Sequence, residues 1–334
     1  MAMIDAWKRF LEKEEKDKIK SGYLLIEKLG FAYSFLTTIL ILALWQEMTN
    51  PWNMILGRII IFAVTTILLL LDRRFPYKAL KFVRITFQMV LLNFWYPETY
   101  SFNCNFNNLD HIFARLEQNL FHCQPALLFG RLLPERIFSE AFNMGYFSYY
   151  PMILVVMVFY FVYQYKEYEK ASFIVMCSFF IYYIIYILIP VSGPQYYFQA
   201  IGYEWAKIGI FPEMGTYFKF HTDMFPPPGD PEGFFFGLVR GAQDIGEYPT
   251  AAFPSSHVSI TTILLILSFK ESRTLGFCLL PVALLLYGAT VYIQAHYVID
   301  AIVGFISAFP VYFLTSHIYD KYRQQDEIRY LHIP

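Results

Sequence analysis

Charge is scarce in this sequence. Asp, Glu, Lys and Arg make up 16% of its 334 residues, where an ordinary globular chain carries about 25%. What charge there is cancels, 26 basic against 27 acidic, which leaves no electrostatic footprint for a nucleic acid. Cysteine is scarce too, and the four present follow no metal-binding spacing. Cys177 and Cys278 lie inside apolar runs and read as small buried residues. Cys104 and Cys123 share one polar segment and are free to pair if that segment faces an oxidising compartment. Also missing are an internal repeat and the short basic patch directly before a single apolar core that marks a signal peptide.

What the chain has in excess is apolar and aromatic surface: 57% hydrophobic and 20% aromatic residues, arranged in long runs rather than periodic stripes. Runs of about 20 mostly apolar residues are what a helix needs to cross a bilayer. Eight such runs are expected, near 29–48, 52–71, 80–96, 146–165, 171–190, 254–270, 274–294 and 296–318. The third is the weakest, because it is short and carries Arg84. Arg58 in the second reads as a side chain snorkelling toward the interface. The expected fold is therefore an all-α integral membrane protein, a polytopic helical bundle of about eight spans. Residues 1–28, with seven Lys/Arg, read as an amphipathic surface segment. Residues 29–318 form one membrane domain with long outer loops at 97–145 and 191–253, and 319–334 form a tail. Apolar patches such as PALLFGRLL in the first loop are too short to cross and fit interfacial or re-entrant helices. The second loop, rich in Pro, Gly and aromatics, is too aromatic for disorder.

The basic residues orient this layout. With the N-terminus inside, eighteen of the 26 Lys and Arg fall on the inner side and six in the two long outer loops. Positive charge concentrates on the cytoplasmic side of membrane proteins, so both termini are expected there.

Two short segments carry chemistry. AAFPSSHVS, Ala251 to Ser259, opens the sixth run, and AHYVIDAIVG, Ala295 to Gly304, opens the eighth. A helix beginning after Pro254 presents unpaired backbone N–H groups, with the hydroxyls of Ser255 and Ser256 beside them, an end that favours a phosphate anion. His257 sits in that first turn. In the second segment His296 and Asp300 are four residues apart on one helix face. An Asp inside an apolar run is costly unless partnered, and the His296 imidazole is its natural partner. The chain descends from His257 to the turn at Lys270–Arg273 and returns over about 20 residues, so the two histidines, 39 positions apart, reach one membrane depth.

Taken singly, a histidine at an interface is an ordinary amphipathic side chain and a Ser-rich helix start is ordinary capping. Together on one face, with an intramembrane Asp, they match what phosphoryl transfer through histidine requires. One neutral imidazole attacks phosphorus, a second protonates the departing oxygen, and donors hold the remaining oxygens. Such a site needs neither metal nor cofactor; a zinc site built from two His and one Asp would need a further ligand that nothing marks.

PSSHVS followed by His296-x-x-x-Asp300 resembles the second and third signature motifs of the type 2 phosphatidic acid phosphatase superfamily. The resemblance implies a six-helix membrane core. It also implies His257 as general acid, His296 as nucleophile, Asp300 as its orienting partner, and Ser255 and Ser256 as phosphate donors. Two features depart from it. The first motif, a Lys followed seven positions on by Arg-Pro, is not found, and Ala289-Thr290 stand where Ser-Arg is expected. A narrower branch, the inositol phosphorylceramide synthases and related sphingolipid synthases, departs similarly. It is matched by Gly237-Leu238-Val239-Arg240, Phe253-Pro254-Ser255-Ser256-His257 and His296-Tyr297-Val298-Ile299-Asp300, and the stretch NNLDHIFARLEQNLFHCQPALLF is similar to its region before the core. This implies Arg240 as a phosphate ligand.

The expected activity is transfer of a phosphorylated head group from a donor phospholipid, through a phosphohistidine, to a lipid hydroxyl. The alternative is a lipid phosphate phosphatase that uses water as acceptor. A transporter or channel with Asp300 and Arg58 as pathway charges is the remote rival, since it predicts polar residues spread through several spans. The site is expected on the extracytoplasmic face. Cysteines introduced beside Gly193 and Gly241 should then react with a membrane-impermeant reagent from the extracytoplasmic side; labelling solely from the cytoplasmic side would reverse the orientation.

Overall fold

The computed structural model describes residues 10–13 and 22–331, and no strand occurs among them. The amphipathic segment expected over 1–28 lies largely outside the described residues. Fifteen α-helices follow, in two units formed by interleaved parts of the chain.

The first unit contains residues up to Trp95, together with 157–180 and 311–334. Its leading helices are α1 (Leu25–Ala43), α2 (Pro51–Arg74) and α3 (Lys78–Val90), and α1 packs on both of the others. Pro51 at the first position of α2 suits a helix start, where its missing N–H costs nothing. Phe35 and Leu42 of α1, and Ile59 and Phe62 of α2, are exposed, the pattern of helices solvated by hydrocarbon rather than water.

The charges that looked out of place in this unit face inward. The Arg84 guanidinium donates to both oxygens of Glu27 at 2.8 and 2.6 Å, to Asp72 Oδ2 at 2.5 Å and to the Gly22 carbonyl at 3.0 Å. Arg58 corrects the snorkelling expectation. It is buried, donating to Thr37 Oγ1 and the Met54 carbonyl at 2.9 Å each, with its guanidinium over the Trp95 ring.

The second unit, 96–156 and 181–310, holds both chemical segments. It receives the end of α4 (Leu92–Asn103), then α5 (Asp110–Phe121), α6 (Pro125–Leu132), α7 (Arg136–Phe147) and the start of α8 (Tyr149–Tyr163). The end of α9 (Tyr165–Leu188) leads into α10 (Pro194–Ile201), α11 (Tyr203–Lys207), a 3-10 turn at Tyr217–Lys219 and α12 (Phe234–Gly246). After these come α13 (Ser256–Glu271), α14 (Arg273–Tyr292) and α15 (Val298–Leu331). Of the two stretches expected as loops, 97–145 is thus built largely of short helices and 191–253 only in part, and α15 continues into the expected tail as far as Leu331. Helix α14 packs along α13, α7 and α6, and α12 packs on α7. Gly145 permits the α7–α14 approach, because a Cβ there would lie 2.8 Å from the Leu285 backbone. Gly304 does the same where α15 passes the start of α13, at 2.5 Å from the Ser255 carbonyl oxygen.

Among the described residues, five helices are long and apolar enough to cross a bilayer: α1, α2, α9, α14 and the 298–325 portion of α15. The pair α7 and α8, bent by 45°, makes a sixth if counted as one span. Three of the eight expected spans differ, the fourth because α8 has 15 residues and reaches span length only together with α7. The third is broken at Leu91 into α3 and α4. The sixth, α13, has 16 residues, about 24 Å of helix against a hydrocarbon core of about 30 Å. Cys104 and Cys123 are free thiols.

Removing Arg84 strands two buried or half-buried carboxylates, a loss of about 3–5 kcal/mol. Arg84→Met should therefore lower the thermal midpoint in detergent by several degrees, read by tryptophan fluorescence; an unchanged midpoint would show the cluster to be dispensable.

Candidate active site

Helix α13 starts at Ser256 because Ser255 caps it, its hydroxyl accepting from Val258 N at 3.4 Å. The Ser256 N–H is held as well, by the Tyr186 hydroxyl at 3.0 Å, and that hydroxyl donates on to the Pro254 carbonyl at 3.0 Å. These contacts correct the picture of an open helix end. Ser255 is fully buried and does not line the cavity, and two of the N–H groups expected to meet a phosphate already have partners within the protein. Ser256 does line it.

The His257 ring projects between two tyrosines, stacked on Tyr146 with centroids 4.7 Å apart and tilted against Tyr149 at 4.4 Å. The His296 ring lies 5.7 Å from it, at 65°. The expected convergence of the two histidines is therefore present, and both line one cavity of about 20 Å³.

His296 sits in the turn between α14 and α15, and its Nδ1 lies 2.8 Å from the Ala252 carbonyl oxygen. A carbonyl oxygen can only accept, so Nδ1 carries the proton and the lone pair is on Nε2. Asp300 is placed differently from expectation. Its Oδ2 lies 3.7 Å from His296 Nδ1, ion-pair rather than hydrogen-bond range, and accepts instead from Tyr297 N at 2.8 Å. Its carboxyl group caps the first turn of α15.

Arg240 on α12 is not among the lining residues. Its Nε pairs with Asp244 Oδ1 at 3.1 Å, while its Nη1 is buried without a hydrogen-bond partner. No Lys or Arg lines the cavity among the described residues; its polar groups include Tyr96, Ser192, Gln195, Thr250 and the carboxyl of Glu247. Glu247 Oε1 accepts from Gln195 Nε2 at 3.0 Å, and Gln243 Nε2 donates to Gln195 Oε1 at 3.4 Å, so a chain of amides ends on the carboxyl. Burial raises Glu247 above the ordinary carboxylate range against the pull of these donors.

Three carboxylates that the sequence did not single out hold this arrangement. Asp110 accepts from Ser192 N at 2.6 Å, Gly193 N at 2.9 Å, Asn108 Nδ2 at 2.6 Å and the Tyr297 hydroxyl at 3.0 Å. Glu117 accepts from Ile299 N at 3.1 Å in the first turn of α15, and Glu140 accepts from Phe235 N and Phe236 N at 3.0 and 3.2 Å in the first turn of α12. A carboxylate there satisfies orphan N–H groups and meets the positive helix end. The strap 191–195 threads between the segments: Ala252 N donates to the Val191 carbonyl and Gln195 N to the Gln294 carbonyl. Gly193, at φ +94°, allows this passage, since a Cβ would lie 2.6 Å from the Ala295 carbonyl oxygen. The available signals were the Gly193-Pro194 pair closing an apolar run and the acids of the 105–127 stretch.

A family model described as the PAP2 superfamily matches residues 111–314. The chain belongs to the PAP2 superfamily. The match runs from the first turn of α5 into α15 and so includes both histidines, Asp300 and the strap. Comparison with curated proteins finds no match, and comparison with solved structures finds none. Members of the PAP2 superfamily are phosphatases or phosphotransferases, and the helices long enough to span a bilayer fit a multi-pass membrane protein.

Burial raises Glu117 to about 7 and Asp110 to about 6. A carboxyl whose folded value exceeds its unfolded one stabilises the fold when protonated, and that contribution is lost as pH rises through the folded value. For Glu117 the window runs from its ordinary 4.5 up to about 7. The thermal midpoint in detergent should thus fall as pH rises across it. Glu117→Gln keeps an acceptor for Ile299 N and should flatten the slope; a variant with the wild-type slope would assign the titration elsewhere.

Proposed function

We propose that this PAP2 superfamily protein is a membrane lipid head-group transferase, working through a phosphohistidine on His296 in the manner of the inositol phosphorylceramide and related sphingolipid synthases. The observation that carries the reading is the commitment of His296 Nδ1 to the Ala252 carbonyl, which leaves the Nε2 lone pair in a cavity shared with His257.

In the first half-reaction Nε2 attacks phosphorus of the donor phospholipid, and the bond to the diacylglycerol oxygen breaks. That oxygen takes its proton from His257, whose protonated form the bound phosphate anion favours. The positive charge arising on the His296 ring is stabilised by Asp300 at ion-pair range. In the second half-reaction an acceptor hydroxyl, such as that of a ceramide-like lipid, attacks phosphorus. The P–N bond breaks, its electrons return to Nε2, and the hydroxyl proton passes to His257. The hydroxyls of Ser256 and Thr250 and the Gln195 amide supply neutral donors for the phosphoryl oxygens, with Arg240 as the cation of the rim once it leaves Asp244. The chemistry on these residues needs no metal or cofactor. The distribution of Lys and Arg supports cytoplasmic termini and an extracytoplasmic site. The small polar cavity favours one second reading, hydrolysis with water in place of the lipid hydroxyl, which makes the protein a lipid phosphate phosphatase.

Labelled phospholipid supplied with and without ceramide separates these readings, a new phosphorylated sphingolipid marking transfer and a water-soluble product marking hydrolysis. The roles of the histidines are tested on a natural lipid and its aryl-phosphate analogue. His296→Ala should lose turnover of both substrates and any trapped phosphoenzyme. His257→Ala should lose the natural lipid by about 100-fold or more yet recover on the aryl analogue, whose leaving group needs little protonation. Asp300→Asn should turn over slowly on both. Recovery of His296→Ala by the aryl analogue would reverse the two roles.

A further inference from the structure

Glu247 has no place in the phosphohistidine chemistry, yet it lines the same cavity as both histidines. A carboxyl beside a phosphate subsite is unexpected, because it opposes the ligand. Cations offset it only from a distance, through the field of Arg240. None lines the cavity among the described residues, and Arg240 is engaged with Asp244. The carboxyl is not a stray rim group either. Gln243 and Gln195 fix it in a directed chain of amides, and Gln195 is itself tied through its backbone to the Gln294 carbonyl, two residues before His296.

The number of charges on a phosphate separates two classes of lipid. A phosphodiester carries one negative charge at any pH near neutrality. A phosphomonoester loses its second proton near pH 6 and carries close to two above it. Hydroxyl and amide donors can satisfy one charge. A second charge needs a cation, and here it meets a carboxyl instead. An ionised Glu247 repels a dianion more strongly than a monoanion.

On the transferase reading above, we propose that Glu247 is a specificity-determining residue that excludes dianionic phosphomonoesters, so that the site selects phosphodiester lipids as donors. The absence from this chain of the Lys and Arg-Pro motif, and Ala289-Thr290 where Ser-Arg is expected, belong to the same adaptation. The motif cations that would hold a dianion are absent, Arg240 stays outside the cavity paired with Asp244, and a carboxyl stands in the cavity.

The test uses the full chain in nanodiscs at pH 8 with a matched pair, a short-chain phosphatidic acid and the methyl diester of the same lipid, scored by release of diacylglycerol. The wild type should favour the diester. Glu247→Gln should raise the ratio of monoester to diester kcat/KM by about tenfold or more, the scale of one unit charge at close range. Glu247→Lys should raise it further, and Glu247→Asp, which keeps the charge, should leave it near wild type. A structural role alone would lower both substrates together; a ratio that stays constant across the series overturns the proposal. The transferase reading fails separately, if phosphorus-labelled diester leaves no label on His296 in the wild type, whatever the Glu247 variants do. A wild type that turns over the monoester faster than the diester overturns the selectivity while leaving the phosphohistidine standing.

Discussion

The Asp110 carboxylate is the constraint on which the site depends. It collects two backbone N–H groups from the strap at Ser192 and Gly193, an amide from Asn108 and the hydroxyl of Tyr297. Tyr297 follows His296 directly, so the carboxylate fixes the turn that carries His296 and the strap beside it in one stroke. The arrangement is costly to bury and costly to break. Burial alone raises the group, and each donor works against that rise. Losing one partner leaves a charge or an N–H group stranded in a place without water. Glu117 and Glu140 repeat the same solution at the first turns of α15 and α12. Helices α15 and α12 are thus tied at their starts by carboxylates from other helices, while α13 is capped by its own Ser255.

Apart from the Glu247 carboxyl, the cavity is built from neutral groups. Tyrosines flank His257, hydroxyls and amides line the walls, and the His296 tautomer is set by a backbone carbonyl. A carbonyl sets a tautomer as firmly as a carboxylate does while adding no charge to the ground state. Asp300 Oδ2 stands slightly farther off, at ion-pair range of Nδ1, and accepts from Tyr297 N, so the i, i+4 spacing of His296 and Asp300 is present although the two make no direct hydrogen bond.

Much of this site was legible in the sequence, because the informative signals were local. Pro254, Ser255 and Ser256 announced a helix start, His296 and Asp300 a shared helix face, and the length of the intervening hairpin brought both histidines to one level. Legibility failed where the deciding partner lay far away in sequence. Ser255 looks like a phosphate donor until its hydroxyl is found capping its own helix. Arg84 and Arg58 look like interruptions of apolar runs until Glu27, Asp72 and Thr37 arrive from other helices. Asp110, Glu117 and Glu247 stand in polar stretches where a carboxylate is ordinarily solvated, and no spacing distinguishes a buried one. The eight-span expectation erred for a related reason. Hydropathy measures how apolar a run is, but it registers neither the break at Leu91 nor the shortness of α13.

The bonds that complete the site join distant parts of the chain. Asp110 and Tyr297 are separated by 187 positions, Glu117 and Ile299 by 182, and the carbonyl that orients His296 comes from 44 positions earlier. During synthesis the strap, the glutamines and His257 all enter the membrane before the turn that carries His296. Up to that moment Asp110 lacks its tyrosine and Glu117 its backbone partner. A growing chain can therefore solvate or shield these groups, yet until its last helix docks it lacks the second histidine of the cavity and the partners that hold Asp110 and Glu117.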